Sequence, residues 1–335
     1  MNFVRKILFP IVPIYYLVSS IRNKCFNIGF CKSKLYDFPI ICVGNLSAGG
    51  TGKTPMIEYL IRLLKNDYKV ATLSRGYKRN TKGFYIADEN SSAEKIGDEP
   101  FQFYQKFRNI VVSVDGNRQN GIEQLQQLLN APDIILLDDG FQHRKVKAGL
   151  NILLTTYDKL YIDDFVLPTG DLREPKAGAK RADIIIVTKC PYGLDESKKN
   201  KIIIRLKPLS TQAVFFSTIK YSETVYNSII SKPLTNLKNQ GFTLVTAIAN
   251  PKPLLNFLNS SGYNYEHLNF KDHHSFTKRE LKFLNTTPLI LTTEKDYMRL
   301  RENIDPERLF CLPIEMEISN KEKFDNLINE YVSII

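Results

Sequence analysis

The sequence contains no tryptophan, four histidines and five cysteines, and no two of the cysteines have the C-x-x-C spacing of many zinc and redox sites. The cysteines are scattered along the chain, and their odd number does not fit a framework of paired disulfides. These absences argue against a secreted protein held together by disulfides. They predict reduced thiols in a cytoplasmic protein, with no cysteine metal site.

The chain also lacks an apolar run long enough to cross a bilayer, which takes about 20 residues. The N-terminal run from Ile7 to Val18 is too short and is interrupted by Pro10 and Pro13. Acidic residues are absent before Asp37, whereas that stretch contains Arg5, Lys6, Arg22, Lys24, Lys32 and Lys34. We interpret residues 1–36 as an interfacial segment that lies on an anionic membrane surface. Two alternatives stay open, a first helix that packs into the core and a cleaved signal peptide.

The overall composition is that of an ordinary globular chain. Hydrophobic residues make up 43% and the mean hydropathy is −0.22, which argues against a polytopic membrane protein. A length of 335 residues is sufficient for two domains. The net charge of +11 favours anionic partners, such as nucleotides, phosphorylated substrates, acidic lipids or nucleic acid. Composition does not choose among them.

A glycine-rich segment at residues 47–54, Ser-Ala-Gly-Gly-Thr-Gly-Lys-Thr, is the most informative local pattern. An apolar run at 38–43 precedes it and a helical pattern follows it, which is the order of a phosphate-binding P-loop. In such a loop Lys53 reaches the β- and γ-phosphates of a nucleoside triphosphate and Thr54 contacts Mg²⁺. Ser47 replaces the usual first glycine of the pattern. Gly49 and Gly50 must therefore allow the backbone to approach the phosphates closely. The predicted nucleotide-binding residues are Gly49, Gly50, Thr51, Gly52, Lys53 and Thr54.

Two adjacent acids end another buried strand. Residues 133–140 read Asp-Ile-Ile-Leu-Leu-Asp-Asp-Gly, so Asp138 and Asp139 follow four apolar residues. Ligands of α/β sheets bind beyond the carboxyl ends of the strands, and carboxylates suit Mg²⁺. One of the two acids is therefore predicted to hold Mg²⁺ together with Thr54, directly or through water. The sequence leaves open which one.

Apolar runs of strand length alternate with helical or polar stretches. They lie at 38–43, 69–73, 110–114, 133–137, 151–154 and 183–187. This alternation predicts an α/β fold of the P-loop type, a mostly parallel sheet with helices on both faces, plus a second, smaller α/β domain. A polar, turn-prone stretch from 221 to 240 precedes a second strand-helix-strand unit. The predicted divisions are a membrane-associating segment at 1–36, a P-loop domain at 37–218 to which 310–335 returns, and a smaller domain at 219–309 that closes the cleft.

A set of short motifs follows in a fixed order between about residues 39 and 300. They are Val43-Gly44-Asn45, Gly49-Gly50-Thr51-Gly52-Lys53-Thr54-Pro55, Leu73-Ser74-Arg75-Gly76-Tyr77, Gly97-Asp98-Glu99-Pro100, Asp138-Asp139-Gly140-Phe141-Gln142-His143, Leu172-Arg173-Glu174-Pro175, Arg181-Ala182-Asp183, Asn250-Pro251, Asp272-His273-His274 and Thr293-Glu294-Lys295-Asp296. In this order they resemble the tetraacyldisaccharide 4′-kinase family. The Asp-Asp-Gly-x-Gln-His and Leu-Arg-Glu-Pro elements are the most specific.

The resemblance implies an enzyme of lipid A biosynthesis. Such a kinase transfers the γ-phosphate of ATP, with Mg²⁺, to the 4′-hydroxyl of an acylated glucosamine disaccharide 1-phosphate. The resemblance also implies a peripheral protein on the cytoplasmic face of the bacterial inner membrane, with two α/β/α domains joined by a strand pair. We expect neither nucleic acid nor an obligate protein partner.

The resemblance also implies roles for individual residues. Asp98 is the expected general base for the sugar hydroxyl, and His273 is expected to pair with it and orient it, which requires the two domains to meet. Arg173 and Glu174 are expected to line the cleft and organise substrate or metal. Gln142 is expected to contact nucleotide, metal-bound water or acceptor.

Phosphoryl transfer needs positioning and charge neutralisation more than covalent chemistry. Lys53 and the loop amides would neutralise the phosphates, so Lys53 and Asp139 count as catalytic as well as binding residues. The carboxylate that does not bind metal would either lie behind the metal ligands or orient the acceptor.

Simpler interpretations exist for several of these residues. Asp98 could be a helix-entry acid, a histidine at 273–274 could pack before a capping box formed by Thr277 and Glu280, and residues 173–174 could be an exposed ion pair. The chain also departs from the family pattern at 162–164, 169–171 and Ala249, which leaves loop shape and acceptor fit open.

Other protein classes share part of the pattern. P-loop ATPases that position cellular cargo carry a lysine directly before the glycine pair, where this chain has Ala48. A GTPase would have Asn-Lys-x-Asp after a strand, but residues 188–191 read Thr-Lys-Cys-Pro. A basic nucleic-acid-binding protein would explain the charge but not the paired acids.

Overall fold

Two β-sheets organise the chain in the computed structural model, which describes residues 9–272 and 274–333. The strands are β1 (Ile40–Asn45), β2 (Val70–Ser74), β3 (Tyr85–Ile86), β4 (Val111–Val114), β5 (Ile134–Asp138), β6 (Leu150–Thr156), β7 (Ile184–Thr188), β8 (Ala213–Tyr221), β9 (Thr224–Tyr226), β10 (Ser231–Pro233), β11 (Phe242–Thr246), β12 (Tyr265–Asn269), β13 (Ile290–Thr293), β14 (Leu309–Leu312) and β15 (Ile314–Ile318).

The larger sheet has the order β15-β8-β7-β6-β1-β5-β2-β4-β3. Its strands run parallel from β8 to β4, while β15 and β3 pair antiparallel at the two edges. The smaller sheet has the order β10-β9-β14-β13-β11-β12, with a parallel part from β14 to β12. These arrangements confirm the predicted α/β class with a mostly parallel sheet.

Helices cover both faces of the larger sheet. The helices of the described residues are α1 (Val12–Asn27), α2 (Lys53–Leu64), α3 (Ala93–Ile96), α4 (Asp98–Lys106), α5 (Arg118–Gln126), α6 (Glu196–Leu206), α7 (Lys252–Ser260), α8 (Lys278–Leu284), α9 (Glu294–Leu300) and α10 (Lys321–Ser333). On β5, Ile134 and Leu136 join the core beneath α2 and α10, whereas Ile135 and Leu137 join the core beneath α5. This alternation explains why the strand is apolar throughout.

The predicted strands of the first domain agree with β1, β2, β4, β5, β6 and β7, with ends shifted by one or two residues. The turn-prone stretch from 221 to 240 also contains β9 and β10, which the sequence did not predict. Each spans three residues, too few for an alternating pattern to show.

Strand pairing also refines the proposed division into domains. Leu309–Leu312 pairs with β13 in the smaller sheet, and the chain returns to the larger sheet at Ile314. Residues 219–221 still belong to β8 of the larger sheet. The crossing points between the sheets therefore lie near residues 222 and 313.

Helix α1 lies on the protein surface, and every one of its residues keeps part of its surface accessible. Its apolar residues Ile14, Leu17, Val18 and Ile21 are more than half exposed. The alternative prediction, a first helix packed into the core, is therefore wrong, because no residue of α1 is buried. Over residues 9–272 and 274–333, no helix combines the length and the apolar character that a bilayer crossing requires.

A buried charge cluster joins the two sheets. Lys106, at the end of α4, lies 2.6 Å from Glu58 of α2 and also pairs with Glu294, the first residue of α9. Gln102 donates to Glu58 at 2.8 Å, and the Ile314 amide donates to Glu294 at 3.1 Å. Burial raises the pKa of Glu294 to about 7. The ammonium group therefore compensates two carboxylates that are hidden from water.

Replacement of Lys106 by Met should destabilise the fold by about 3–5 kcal/mol, because two buried carboxylates lose their cation. Urea denaturation measures this free energy of unfolding. The control is Lys34→Met, which breaks an exposed ion pair with Glu123 (2.6 Å) and should cost less than about 1 kcal/mol. Equal losses in the two variants would contradict the interpretation.

Candidate active site

The glycine-rich loop connects β1 to α2, and its shape depends on left-handed glycines. Gly49 and Gly52 have φ angles of 122° and 91°, which other residues adopt only with strain. Asn45 Nδ2 donates to Thr51 Oγ1 at 2.8 Å, and Thr188 Oγ1 donates to the Thr51 carbonyl at 2.8 Å. These hydrogen bonds fix the loop to the ends of β1 and β7.

The loop is also held from its outer side. Lys189 Nζ donates to the Gly50 carbonyl at 2.6 Å, and the Ala48 amide donates to the Asp171 carbonyl at 2.6 Å. Burial lowers the pKa of Lys189. This contact was not predicted, because an isolated lysine after a strand does not indicate which residue it reaches.

Ion pairs connect the loop to Asp139. Lys53 Nζ, at the start of α2, lies 3.6 Å from Asp139 Oδ1, and Arg173 donates to Asp139 Oδ2 at 2.9 Å. Asp139 has a φ of 50°, a left-handed conformation that turns its side chain back toward the loop. Burial acts to raise the pKa of Asp139, but Lys53 and Arg173 outweigh it and hold that pKa below its usual value.

Asp138 occupies a different environment from its neighbour. It is buried and accepts a hydrogen bond from Ser74 Oγ at 3.2 Å. Burial, with the adjacent Asp139 charge, raises the pKa of Asp138 to about 6. The Arg118 guanidinium, itself only 2% exposed, donates to the Asp138 carbonyl at 3.3 Å. The sequence did not single out Arg118, since arginines are usually exposed.

Several buried polar atoms around these residues have no hydrogen-bond partner among the described residues. They are Asn45 Oδ1, Asp139 Oδ1, Gln142 Oε1, His143 Nε2 and Arg118 Nε. Buried polar atoms are normally satisfied, so this group fits a site built to receive a polar ligand. The described part of the chain contains no cluster of three or more His, Cys, Asp or Glu residues that could hold a metal. Mg²⁺ would fit here with few protein ligands, completed by phosphate oxygens and water.

Glu174 lies at the centre of a hydrogen-bond network and is 1% exposed. Arg181 contacts both carboxylate oxygens, at 2.8 and 2.9 Å. Gln142 Nε2 donates to Oε1 at 2.9 Å, and Asn23 Nδ2 donates to Oε2 at 2.8 Å. The exposed ion pair considered for residues 173–174 is therefore wrong, because Arg173 binds Asp139 instead.

Asp98 is the first residue of α4 and lies at the boundary between the two sheets. It pairs with Arg299 of α9, whose guanidinium also lies 3.5 Å from Asp296. His273, its predicted partner, lies outside the described residues. The sequence did not identify Arg299, because an arginine three residues after an acid on a helix is a common local pair.

The helix that follows this segment begins as the sequence indicated. Thr277 and Glu280 form the expected capping box at the start of α8. His274 Nε2 lies 3.0 Å from Glu280 and its ring stacks on Phe270. His274 therefore packs at a helix entrance.

Replacement of Lys189 by Met should weaken nucleotide binding about tenfold or more, because the loop loses a charge-assisted hydrogen bond at Gly50. Fluorescence titration with an ATP analogue measures the dissociation constant. Lys198→Met, in the exposed first turn of α6, is the matched control and should bind like the wild type. Wild-type affinity in Lys189→Met would show that the contact does not shape the loop.

Comparison with known proteins identifies the family. A sequence model of the family described as LpxK, tetraacyldisaccharide-1-P 4′-kinase, matches residues 4–333. The tetraacyldisaccharide 4′-kinase of Flavobacterium johnsoniae is 51% identical and covers 99% of this chain and 98% of its own length. The one from Bacteroides thetaiotaomicron is 44% identical, with coverages of 98% and 93%.

A solved structure agrees with these relatives. The crystal structure of LpxK from Aquifex aeolicus in complex with ATP has a TM-score of 0.79 and 30% identity, and the match covers 98% of this chain and 100% of that one. The chain therefore belongs to the tetraacyldisaccharide-1-phosphate 4′-kinase family and is a kinase of lipid A biosynthesis.

Proposed function

We propose that the chain, with Mg²⁺, transfers the γ-phosphate of ATP to the 4′-hydroxyl of an acylated glucosamine disaccharide 1-phosphate. The observation that carries this assignment is the chain of ion pairs from Lys53 through Asp139 to Arg173. It lies where β1 and β5 end side by side, at the edge of the sheet where nucleotides bind. The names of the relatives and the ATP in the similar crystal structure support the same reaction.

The charged groups of the site have different roles in phosphoryl transfer. Lys53 and the loop amides hold the phosphates and neutralise their charge. Thr54 and Asp139 would hold Mg²⁺, which when bound neutralises charge on the β- and γ-phosphates. Asp139 suits this position because its Oδ1 has no hydrogen-bond partner among the described residues. Asp138, with its raised pKa, is then the carboxylate behind the metal ligand.

Asp98 is the proposed general base for the acceptor hydroxyl, and His273 the residue that orients it. The ion pair of Asp98 with Arg299 of α9 supports this assignment, because it brings a residue from the region of the smaller sheet to the proposed base. The acceptor would therefore bind where the two sheets approach each other.

A cationic cavity beside the ends of β2 and β4 supports an anionic acceptor. Its volume is about 490 Å³, and its lining includes Arg75, Lys78, Arg79 and Lys82. Neighbouring strands are about 4.8 Å apart, and β2 and β4 follow β5 in the sheet. The cavity therefore lies one to two strands away from Asp138 along the same edge of the sheet.

Lys53→Ala should lower transfer by roughly 10³-fold or more, because the phosphates lose their principal mobile cation. The assay follows ³²P transfer from ATP to tetraacylated glucosamine disaccharide 1-phosphate in detergent. Lys69→Ala, in the loop before β2, is the matched control and should retain full activity. Turnover by Lys53→Ala close to that of the wild type would refute the assignment.

We further propose that the protein associates peripherally with the cytoplasmic face of the inner membrane, through anionic lipid. Ile14, Leu17, Val18 and Ile21 form an exposed apolar face on α1, and Lys24 lies on the same helix. An apolar helix face flanked by basic residues is typical of interfacial segments. Arg5 and Lys6, which the sequence analysis included, lie outside the described residues.

The double variant Leu17→Gln/Ile21→Gln should weaken binding to anionic liposomes at least tenfold, since each buried apolar side chain contributes about 1.5 kcal/mol or more. Sedimentation with liposomes measures the bound fraction. Ile204→Gln, in α6, is the control for surface hydrophobicity, since Ile204 is even more exposed than Leu17 and Ile21. Unchanged sedimentation of the double variant would exclude this face as the attachment surface.

A further inference from the structure

Helix α1 has a second, inward-facing side. The half-buried residues Val12, Tyr15, Ser19, Asn23 and Phe26 recur at intervals of three or four, so they form one stripe along the helix. Val12 and Tyr15 pack against the hydrophobic cluster that contains Phe141 and Leu172. The stripe therefore faces the two segments that carry the predicted active-site residues.

The inner side contacts these segments through specific hydrogen bonds. Tyr15 donates from its hydroxyl to the Arg173 carbonyl at 2.9 Å. Two turns further along the helix, Asn23 Nδ2 donates to Glu174 Oε2 at 2.8 Å. Arg22 donates to the Gln142 carbonyl at 2.8 Å. One helix thus contacts three residues of the predicted site, Gln142, Arg173 and Glu174.

The contact with Asn23 has an energetic reason. Glu174 is almost fully buried, and a buried carboxylate needs hydrogen-bond donors for all its accepting positions. Arg181, Gln142 and Asn23 supply them in the described structure. Without the Asn23 amide, Oε2 would keep a single donor and the carboxylate could rotate toward Arg181.

The network continues from Glu174 to the nucleotide loop. Gln142 Nε2 bonds both Glu174 and the Asn45 carbonyl, the latter at 2.8 Å. Asn45 in turn donates to Thr51 of the loop. A parallel connection leads from Tyr15 to the backbone of Arg173, whose side chain binds Asp139. Two series of contacts therefore link α1 to the groups that hold the phosphates.

We propose that Asn23 and Tyr15 are positioning residues for phosphoryl transfer. Through them α1 fixes the Glu174 carboxylate and the Arg173 backbone, so the N-terminal helix contributes to turnover as well as to attachment. This inference rests on the proposed function. It is independent of the proposed membrane attachment, because that proposal uses the exposed residues of α1 and this one uses the residues of the inner stripe.

The test measures kcat and KM of the full-length protein in mixed micelles of detergent and acceptor, where liposome attachment does not limit the rate. Asn23→Ala should lower kcat roughly 10-fold to 100-fold and change KM for ATP by a smaller factor, because Lys53 and the loop glycines are unchanged. Tyr15→Phe should lower kcat less. Ser19→Ala is the matched control on the same stripe, since the Ser19 hydroxyl bonds within the helix. It should retain full activity.

A double variant tests whether Asn23 acts through Glu174. Asn23→Ala/Glu174→Gln should lose no more kcat than Glu174→Gln alone. Additive losses of kcat in the double variant would overturn the proposal. A wild-type kcat in Asn23→Ala would also overturn it, whether or not that variant loses liposome binding. If Asn23→Ala fails to fold, Tyr15→Phe decides, since it removes a single oxygen and a wild-type kcat would refute the inference. Absence of transfer by the wild type would instead refute the proposed function.

Discussion

The contact between Lys53 and Asp139 sets the position of everything else in the site. β1 and β5 are neighbours with Val43 opposite Asp138, so the loops after them emerge side by side. Lys53 begins α2, where the helix dipole already favours negative charge. The Asp139 carboxylate occupies this positive position together with Arg173. Lys53 and Arg173 are therefore already close together and oriented before a triphosphate binds.

Support for the loop also comes from a group of ion pairs beside it. Lys159 lies 2.9 Å from Asp164 and 2.6 Å from Asp171. Asp164 is buried, and the Asp171 carbonyl accepts from the Ala48 amide of the nucleotide loop. The acids at these positions therefore form an ion-paired clamp beside the P-loop.

The sequence was sufficient for the fold class and for the position of the glycine-rich loop between β1 and α2, because both depend on local patterns. Long apolar runs indicate buried parallel strands, and a glycine-rich turn between a strand and a helix is typical of phosphate-binding loops. Lys106, Arg118, Lys189 and Arg299 were not predicted. Each is a cation with at least one partner on another helix, strand or loop, and cations of the same types are common on exposed surfaces. Pairing of this kind is decided by the tertiary fold and leaves no local signal.

The contacts of the N-terminal helix with the rest of the chain were likewise not predictable from local sequence patterns. Its composition indicated a membrane-associating segment distinct from the P-loop domain, and its outer side agrees with that description. The inner side carries Asn23, an ordinary polar residue in the sequence, yet its amide completes the hydrogen bonds of a buried glutamate. A carboxylate that is 1% exposed cannot lose a donor without cost. The composition changes near residue 36, but α1 packs against the part of the chain that carries the glycine-rich loop.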